Sequence, residues 1–265
     1  MGLKLDTLTA PEFSLLDFVK QANEDLYNEG ISPLHRFELD STHNPVPGIW
    51  RPSGLRRCMR KQVYKACKVK KQRPPFDPAK QFMFDRGHVF GAWMAAYVSA
   101  LEGRYGFSVV SCEVVLTEDE TQVGGKADVV LTKGGHRYVV EVKSKDNAAA
   151  MRNITPSKID LAQLNDYMAM SSAYAGWLVY FGVDFVDWVP NSRKPPRTTI
   201  AAKEFFHRFS PRMWKETKTK VEMLTWFLQD QTKLAPKTTN TFFECSNCEW
   251  RWACDQELNP VDAKA

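Results

Sequence analysis

The sequence predicts an α/β fold in which a central mixed sheet is flanked by helices, with a further helical region drawn from both ends of the chain. Three observations predict it. Helical periodicity fills most of the first hundred residues, strand-like segments separated by Gly turns begin at Phe107, and Cys245, Cys248 and Cys254 crowd together far downstream of Cys58. With 265 residues, 43% of them hydrophobic, the chain can bury a full core, and one compact unit over 1–265 is expected.

Taken in order, Pro11 to Tyr27 reads as a helix, Ser53 to Cys67 as a second behind a Ser53 cap, and Gln81 to Leu101 as a third. Lys68 to Pro78 carries three prolines and four basic residues and reads as a linking loop. Ser108 to Leu116 is strand-like, and Gln122 to Leu131 is a second strand with Gly124-Gly125 near its start. Lys133-Gly134-Gly135 then turns into a third strand, Arg137 to Lys143. A helix over Ser157 to Ala173 follows, and then two short aromatic strands, Gly176 to Phe181 and Phe185 to Val189. Asn191 to Thr199 reads as a Pro- and Arg-rich loop, and Ala201 to Gln231 as a helix broken at Pro211. Neither an internal repeat nor a low-complexity tract is present.

The 36 Lys and Arg against 31 acids leave a net charge of +5, which suits a locally basic groove without requiring a polyanionic partner. No stretch reaches the ~18 apolar residues of a membrane span, and the first 20 residues lack a signal-type apolar run. Met1-Gly2 opens like a myristoylation signal, but Asp6 stands where Ser or Thr is needed. A cytoplasmic protein with no membrane partner is expected. Six cysteines, unevenly placed, are too sparse for a secreted disulfide scaffold, so their clustering points to a metal or a metal cluster.

Glu141 and Lys143 lie two apart in an apolar strand, so they share one face while Val140 and Val142 take the other. Two charges on a central strand are costly unless paired or bound to metal; on an edge strand they would be a solvated face. Asp128, amid Ala127, Val129 and Val130, adds a carboxylate that the Gly134-Gly135 hairpin can bring beside Glu141. Such hard oxygen ligands suit Mg2+ or Mn2+, with Lys143 orienting or helping to deprotonate a water. That is the chemistry of metal-assisted phosphodiester hydrolysis.

On these residues the chain resembles the PD-(D/E)XK nuclease superfamily, and within it the RecB-like branch. Gly125-Lys126-Ala127-Asp128 is similar to the G-x-x-D motif, Glu141-Val142-Lys143 to the E-x-K strand, and Gln163-Leu164-Asn165-Asp166-Tyr167 to Q-x-x-x-Y. The resemblance implies a restriction-endonuclease-like core over 80–190, Asp128 and Glu141 as metal ligands, and Lys143, Gln163 and Tyr167 in the catalytic set. Gln163 and Tyr167 are one helical turn apart and share a face. The branch's metal-binding His has no counterpart here, because Gly91 occupies its place and His88 stands three residues early, on another helix face. Glu102 or Glu113 could add a carboxylate; each is otherwise a surface charge.

Cys245, Cys248 and Cys254 give C-x2-C-x5-C, one ligand short of a closed four-thiolate site, and Cys58 is the best distant partner, with Cys67 as the alternative. This arrangement resembles the iron-sulfur RecB-type nucleases, among them CRISPR adaptation nucleases, the AddB nuclease domain and phage-encoded standalone relatives. The resemblance implies a structural 4Fe-4S cluster joining segments 53–67 and 240–256. Zinc is the alternative occupant, and Cys67 and Cys112 are otherwise buried thiols.

Arg56, Arg57, Arg60 and Lys61, followed by Lys68, Lys70, Lys71 and Arg73, are dense enough to neutralise phosphates along a DNA strand. Trp250 and Trp252 could stack bases or simply pack the core. The expected function is a DNA exonuclease or end-processing nuclease acting on single- or double-stranded ends in recombination, repair or phage DNA metabolism. Any unwinding would come from a helicase or recombination partner. The alternatives are an inactive DNA-binding or partner-recruiting module and a CRISPR spacer-end processing nuclease.

Overall fold

In a computed structural model, the described residues are 13–31, 48–72, 89, 91–145, 154–186, 197–237, 242–246 and 248–264. Two compact units share the chain. One takes Met1–Pro45, Ala79–Leu116 and Lys126–Ser210, the other Val46–Pro78, Thr117–Gly125 and Pro211–Ala265. Each of the two is stitched from three segments, which periodicity along the chain does not reveal.

The first unit is organised by a five-stranded sheet in the order β1 (Phe107–Glu118), β2 (Val123–Lys133), β3 (His136–Lys145), β4 (Ala175–Val186), β5 (Arg197–Arg208). Strands β2 and β3 are antiparallel. Their two-residue turn, Gly134-Gly135, has φ of 57° and 79°, a conformation that costs glycine little and twists with the strands. Strand β4 runs parallel to β3 and antiparallel to β5, so the sheet is mixed, as expected. The parallel step needs a crossover, which helix α5 (Lys158–Ser171) supplies.

Period-two alternation divides the sheet's two faces. Val129, Leu131, Tyr138, Val140, Val142, Trp177 and Val179 join one core with Leu15, Val19, Ala22 and Leu26 of helix α1 (Leu15–Asn28). Met94, Ala95 and Val98 of helix α4 (residues 91–99) belong to the same core. Helix α1 starts at a Ser14 cap, whose hydroxyl accepts from Asp17 N–H at 3.2 Å. The opposite face carries Val139, Glu141 and Leu178, and α5 lies on it so closely that a Cβ at Gly176 would sit 3.0 Å from Leu164. This close seating lets a helix side chain reach the charges on β3.

Three sequence expectations are corrected. The two short aromatic strands are one continuous β4, because Gly182 stays paired with Ala201 instead of breaking the ladder. Residues 201–208 are strand, not helix. Helix formers such as Ala201, Ala202, Lys203 and Glu204 are overridden by pairing with β4, and Phe206 stacks 5.1 Å from Trp177 in the core. Pro211 then begins helix α6 (Pro211–Gln229) rather than breaking it, as suits a residue with no N–H to contribute. Residues 187–189, and 81–88 and 90 of the expected third helix, lie outside the described residues.

In the second unit, the helix expected over Ser53 to Cys67 is two: α2 (Pro52–Leu55) and α3 (Met59–Ala66), with Cys58 as the extended N-cap of α3. Short helices α7 (Phe242–Ser246) and α8 (Arg251–Asp255) carry Cys245 and Cys254. Trp250 is 2% exposed and donates its indole N–H to Val69 O at 2.9 Å, so it packs the core rather than stacking bases.

Candidate active site

The β2–β3 ladder ends at Val129↔Val140, and the next residues along it, Asp128 and Glu141, face each other on the α5 side of the sheet. Asp128 turns one carboxylate oxygen onto Val142 N–H at 2.6 Å, completing the donor that the ladder leaves at that point. Glu141 is 3% exposed. Its Oε1 accepts from Lys143 Nζ at 2.7 Å and from Gln163 Nε2 at 2.7 Å, while its Oε2 is buried without a partner.

Helix α5 closes the network. Gln163 accepts from Lys143 Nζ at 3.0 Å through Oε1, and its Nε2 also reaches the Tyr167 hydroxyl at 3.3 Å. One amide therefore bridges the lysine, the glutamate and the tyrosine, a task for which its paired acceptor and donor are suited. Gln163 and Tyr167 are both buried, one turn apart on the face of α5 that meets β3.

Burial dominates the electrostatics. It pushes Glu141 up to about 8, with the charge of Asp128 adding to the rise and Lys143 opposing it. Asp128 is pushed up to about 6, again by burial, against the Val142 hydrogen bond and Lys143. Burial works against the Lys143 ammonium, but the Glu141 carboxylate beside it outweighs that and holds the lysine above its usual range. Tyr167 is held well above the ordinary tyrosine range by burial and by Glu141, so it keeps its proton and can donate it. Two acids that resist ionising around one orphaned oxygen form a site that a divalent cation would relax.

Sequence reasoning misses a supporting group. Tyr180, opposite Lys143 in the β3–β4 register, accepts from Ser157 N–H at 2.8 Å and donates to Asp160 at 2.8 Å. It thereby ties the first turn of α5 to the strand beside the site. The signal available is positional: Asp160 precedes Gln163 by three residues and shares its helix face. Among the other candidate carboxylates, Glu113 stands at φ 53° and pairs with Lys126 at 2.5 Å, and Glu102 is exposed. A side chain at Gly91 would meet nothing within 4 Å, and His88 lies outside the described residues.

A family model of the PD-(D/E)XK nuclease superfamily matches residues 44–255, most of the chain. The chain belongs to this superfamily. The crystal structure of SSO0001 aligns with this nuclease at 18% identity, covering 93% of this chain and 98% of that one, with a TM-score of 0.47. An alkaline exonuclease from Laribacter hongkongensis, LHK-Exo, aligns at 14% identity over 65% of this chain and 78% of its own, with a TM-score of 0.43. LHK-Exo in complex with dAMP does so at 14% identity over 68% and 88%, with a TM-score of 0.44. No curated protein sequence matches the nuclease.

In the second unit of the nuclease, Cys58, Cys245, Cys248 and Cys254 line one pocket of about 40 Å3, together with Arg60, Lys61, Lys237 and Arg251. Among the described residues, no three His, Cys, Asp or Glu side chains converge tightly enough to grip a single ion. Cys67 is 5% exposed and lies outside that lining, and Cys112 packs on the sheet core with its thiol pushed up to about 11 by burial.

Of the basic residues expected to meet DNA, Arg57 is exposed and Lys61 half-buried, whereas two others turn inward. Arg56 bonds the Thr217 hydroxyl and the Met213 carbonyl on α6, and Arg60 is 6% exposed. Lys68, Lys70 and Lys71 are exposed, Lys71 pairing with Glu249 at 3.3 Å, and Arg73 lies outside the described residues.

Proposed function

We propose that this nuclease is a divalent-cation-dependent deoxyribonuclease that acts on DNA ends, with Asp128 and Glu141 as the cation's carboxylate ligands. The carrying observation is the orphaned, buried Oε2 of Glu141 within a network that otherwise satisfies itself. Mg2+ or Mn2+, when bound, supplies Lewis-acid stabilisation of the charge that builds on the phosphate oxygens. Lys143, kept charged and a quarter exposed at 25%, offers its ammonium to the attacked phosphate and orients the water that attacks it. Gln163 holds Lys143 and Glu141 at fixed separation, and the Tyr167 hydroxyl, retaining its proton, steadies Gln163. The water oxygen forms a new bond to phosphorus as the bond to the leaving sugar oxygen breaks, and the proton the water gives up ends, through solvent, on that oxygen as an alcohol.

The four cysteines are read as holding a structural 4Fe-4S cluster. What supports this reading is that all four line one pocket; four thiolates also suit zinc, which is the alternative occupant. Recombination, repair or phage DNA metabolism, alongside a helicase or recombination partner, is the corresponding setting. Arg57, Lys61 and the exposed lysines after α3 serve as phosphate contacts.

The test is digestion of end-labelled linear and closed circular DNA with Mn2+, comparing the wild type with Lys143→Ala. Loss of the linear substrate alone, and its sparing by the variant, is the expected result. Equal digestion by both proteins would remove Lys143 from the site, and no digestion by the wild type under any cation would favour a binding module.

A further inference from the structure

Arg60 sits in a basic run beside Cys58, and the sequence alone reads it as a phosphate contact. Its surroundings are different. It is 6% exposed, and its Nε donates to the Ala235 carbonyl at 2.7 Å. Its Nη1 reaches both the carbonyl and the Sγ of Cys254, each at 3.5 Å. Its backbone N–H is taken by the Pro236 carbonyl at 3.2 Å. Among the described residues none of its side-chain acceptors is a carboxylate. A guanidinium stays charged at any pH of interest, and burying it without an anion costs several kcal/mol. Its position is also unfavourable locally, since it lies in the first turn of α3, where the helix dipole prefers acids.

The missing anion is at hand. Cys58, Cys245, Cys248 and Cys254 line the same pocket as Arg60, and bound to iron or zinc they would be thiolates. Around them stand Lys61, Lys237 and Arg251, against Glu244 and Asp255. Arg251 is paired with Asp255 at 3.1 Å and Lys237 with Glu257 at 3.6 Å, so these two cations already have partners. Among the described residues, the Arg60 guanidinium is the lining cation that hydrogen-bonds to a cysteine sulfur. One turn further along α3, Tyr64 donates its hydroxyl to the Leu258 carbonyl, so the same helix face grips the chain on both sides of residue 254.

We propose that Arg60 is a positioning residue and resident counter-charge of the four-cysteine site, holding Cys254 toward the thiolate-bound group, and is not a DNA contact. The proposal rests on reading that pocket as a thiolate site. The test uses the full chain, purified without oxygen, as wild type, Arg60→Gln and Arg60→Lys. Iron, sulfide and zinc per chain are measured first, then the reduction potential by spectroscopic titration, the rate of metal loss to a chelator, and the salt dependence of binding to a single-stranded oligonucleotide.

Arg60→Gln is expected to shift the potential to more negative values, because a positive charge beside the cluster favours the added electron. It is also expected to lose iron about tenfold faster, with the salt dependence of DNA binding unchanged. Arg60→Lys, which keeps the charge and loses the fork, should fall between. Wild-type potential and chelator resistance in Arg60→Gln would overturn the proposal, as would a lowered salt slope. If Arg60→Gln does not fold, Arg60→Lys decides by the same readouts. A wild type holding zinc alone would end the iron-sulfur reading but not this one, which faster zinc release from Arg60→Gln would still support and unchanged release would overturn. A wild type holding neither metal overturns both.

Discussion

The carboxylate site and the cysteine pocket are built in opposite ways. Asp128, Glu141 and Lys143 sit on paired strands, and the crossover helix that follows delivers Gln163 and Tyr167. Strand pairing and helix packing hold them whether or not a cation is present. The cysteine pocket gathers residues from 58 to 254 with short helices and a few long-range bonds: Arg60 to Ala235 and Cys254, Tyr64 to Leu258, Trp250 to Val69. With the proposed cluster bound, such a pocket would gain order from its occupant, because closing a long loop by a bound group removes chain entropy that local contacts do not. The first site is thus a framework built by strand and helix packing, and the second, on the proposed reading, a clasp.

The largest effect should come from the framework. Glu141→Gln keeps the shape and the hydrogen bonds to Lys143 and Gln163 but removes a cation ligand. Its kcat is expected to fall about 10^3-fold, with the circular dichroism spectrum unchanged. Since the substitution also removes a buried acid, the cation-free protein should be no less stable. An inactive variant that has also lost its fold would mean that the carboxylate serves the structure.

Next in size is the clasp. Cys248→Ser should lose the bound group and loosen the second unit by about 3 kcal/mol or more, ~10 °C or more for a unit of this size. Hydrogen exchange in Met59–Ala66 and Arg251–Asp255 reads this directly, and protection unchanged in both helices would show that the pocket stands without its occupant.

The same contrast explains what is legible in the sequence. Asp128, Glu141, Lys143, Gln163 and Tyr167 follow periods of two and of 3.6, so the amino-acid order alone places them on shared faces. Residues 201–208 read as helix because Ala, Lys and Glu favour helices, and only the open edge of β4 makes them a strand. Arg60 reads as a DNA contact because charge density along a chain says nothing of direction: Arg57 is exposed and Arg60, three residues on, points inward. Tyr180 looks like one more aromatic in a hydrophobic strand; its value lies in a hydroxyl that reaches a helix terminus.

A smaller effect separates the sites by pH. Glu141, at about 8 in the folded chain against an ordinary 4.5, keeps a proton that the unfolded chain gives up. Below about 4.5 both states hold it and nothing is lost; between there and about 8 the cation-free fold loses up to ~1.4 kcal/mol per pH unit, after which the loss levels off. Asp128 adds a loss between 3.8 and about 6 with the same sign. Mn2+ must displace these protons, so its affinity should rise up to tenfold per pH unit from about 6 to about 8. Calorimetry in buffers of different ionisation enthalpy would count the protons released, and a release of none at about pH 6.5 would take Glu141 out of the coordination.

The smallest effect tests how rigid the framework must be. Tyr180→Phe deletes both the acceptor of Ser157 N–H and the donor to Asp160, at a cost of about 1–3 kcal/mol, because a half-buried N–H at the cap of α5 loses its partner. If the first turn of α5 sets the place of Gln163, kcat should fall about three- to tenfold while KM and Mn2+ affinity hold, since neither the carboxylates nor the basic surface is touched. A lowered melting temperature with unchanged kcat would make Tyr180 part of the packing alone, and would show that β3 and the body of α5 fix the Gln163 bridge without help from the helix start.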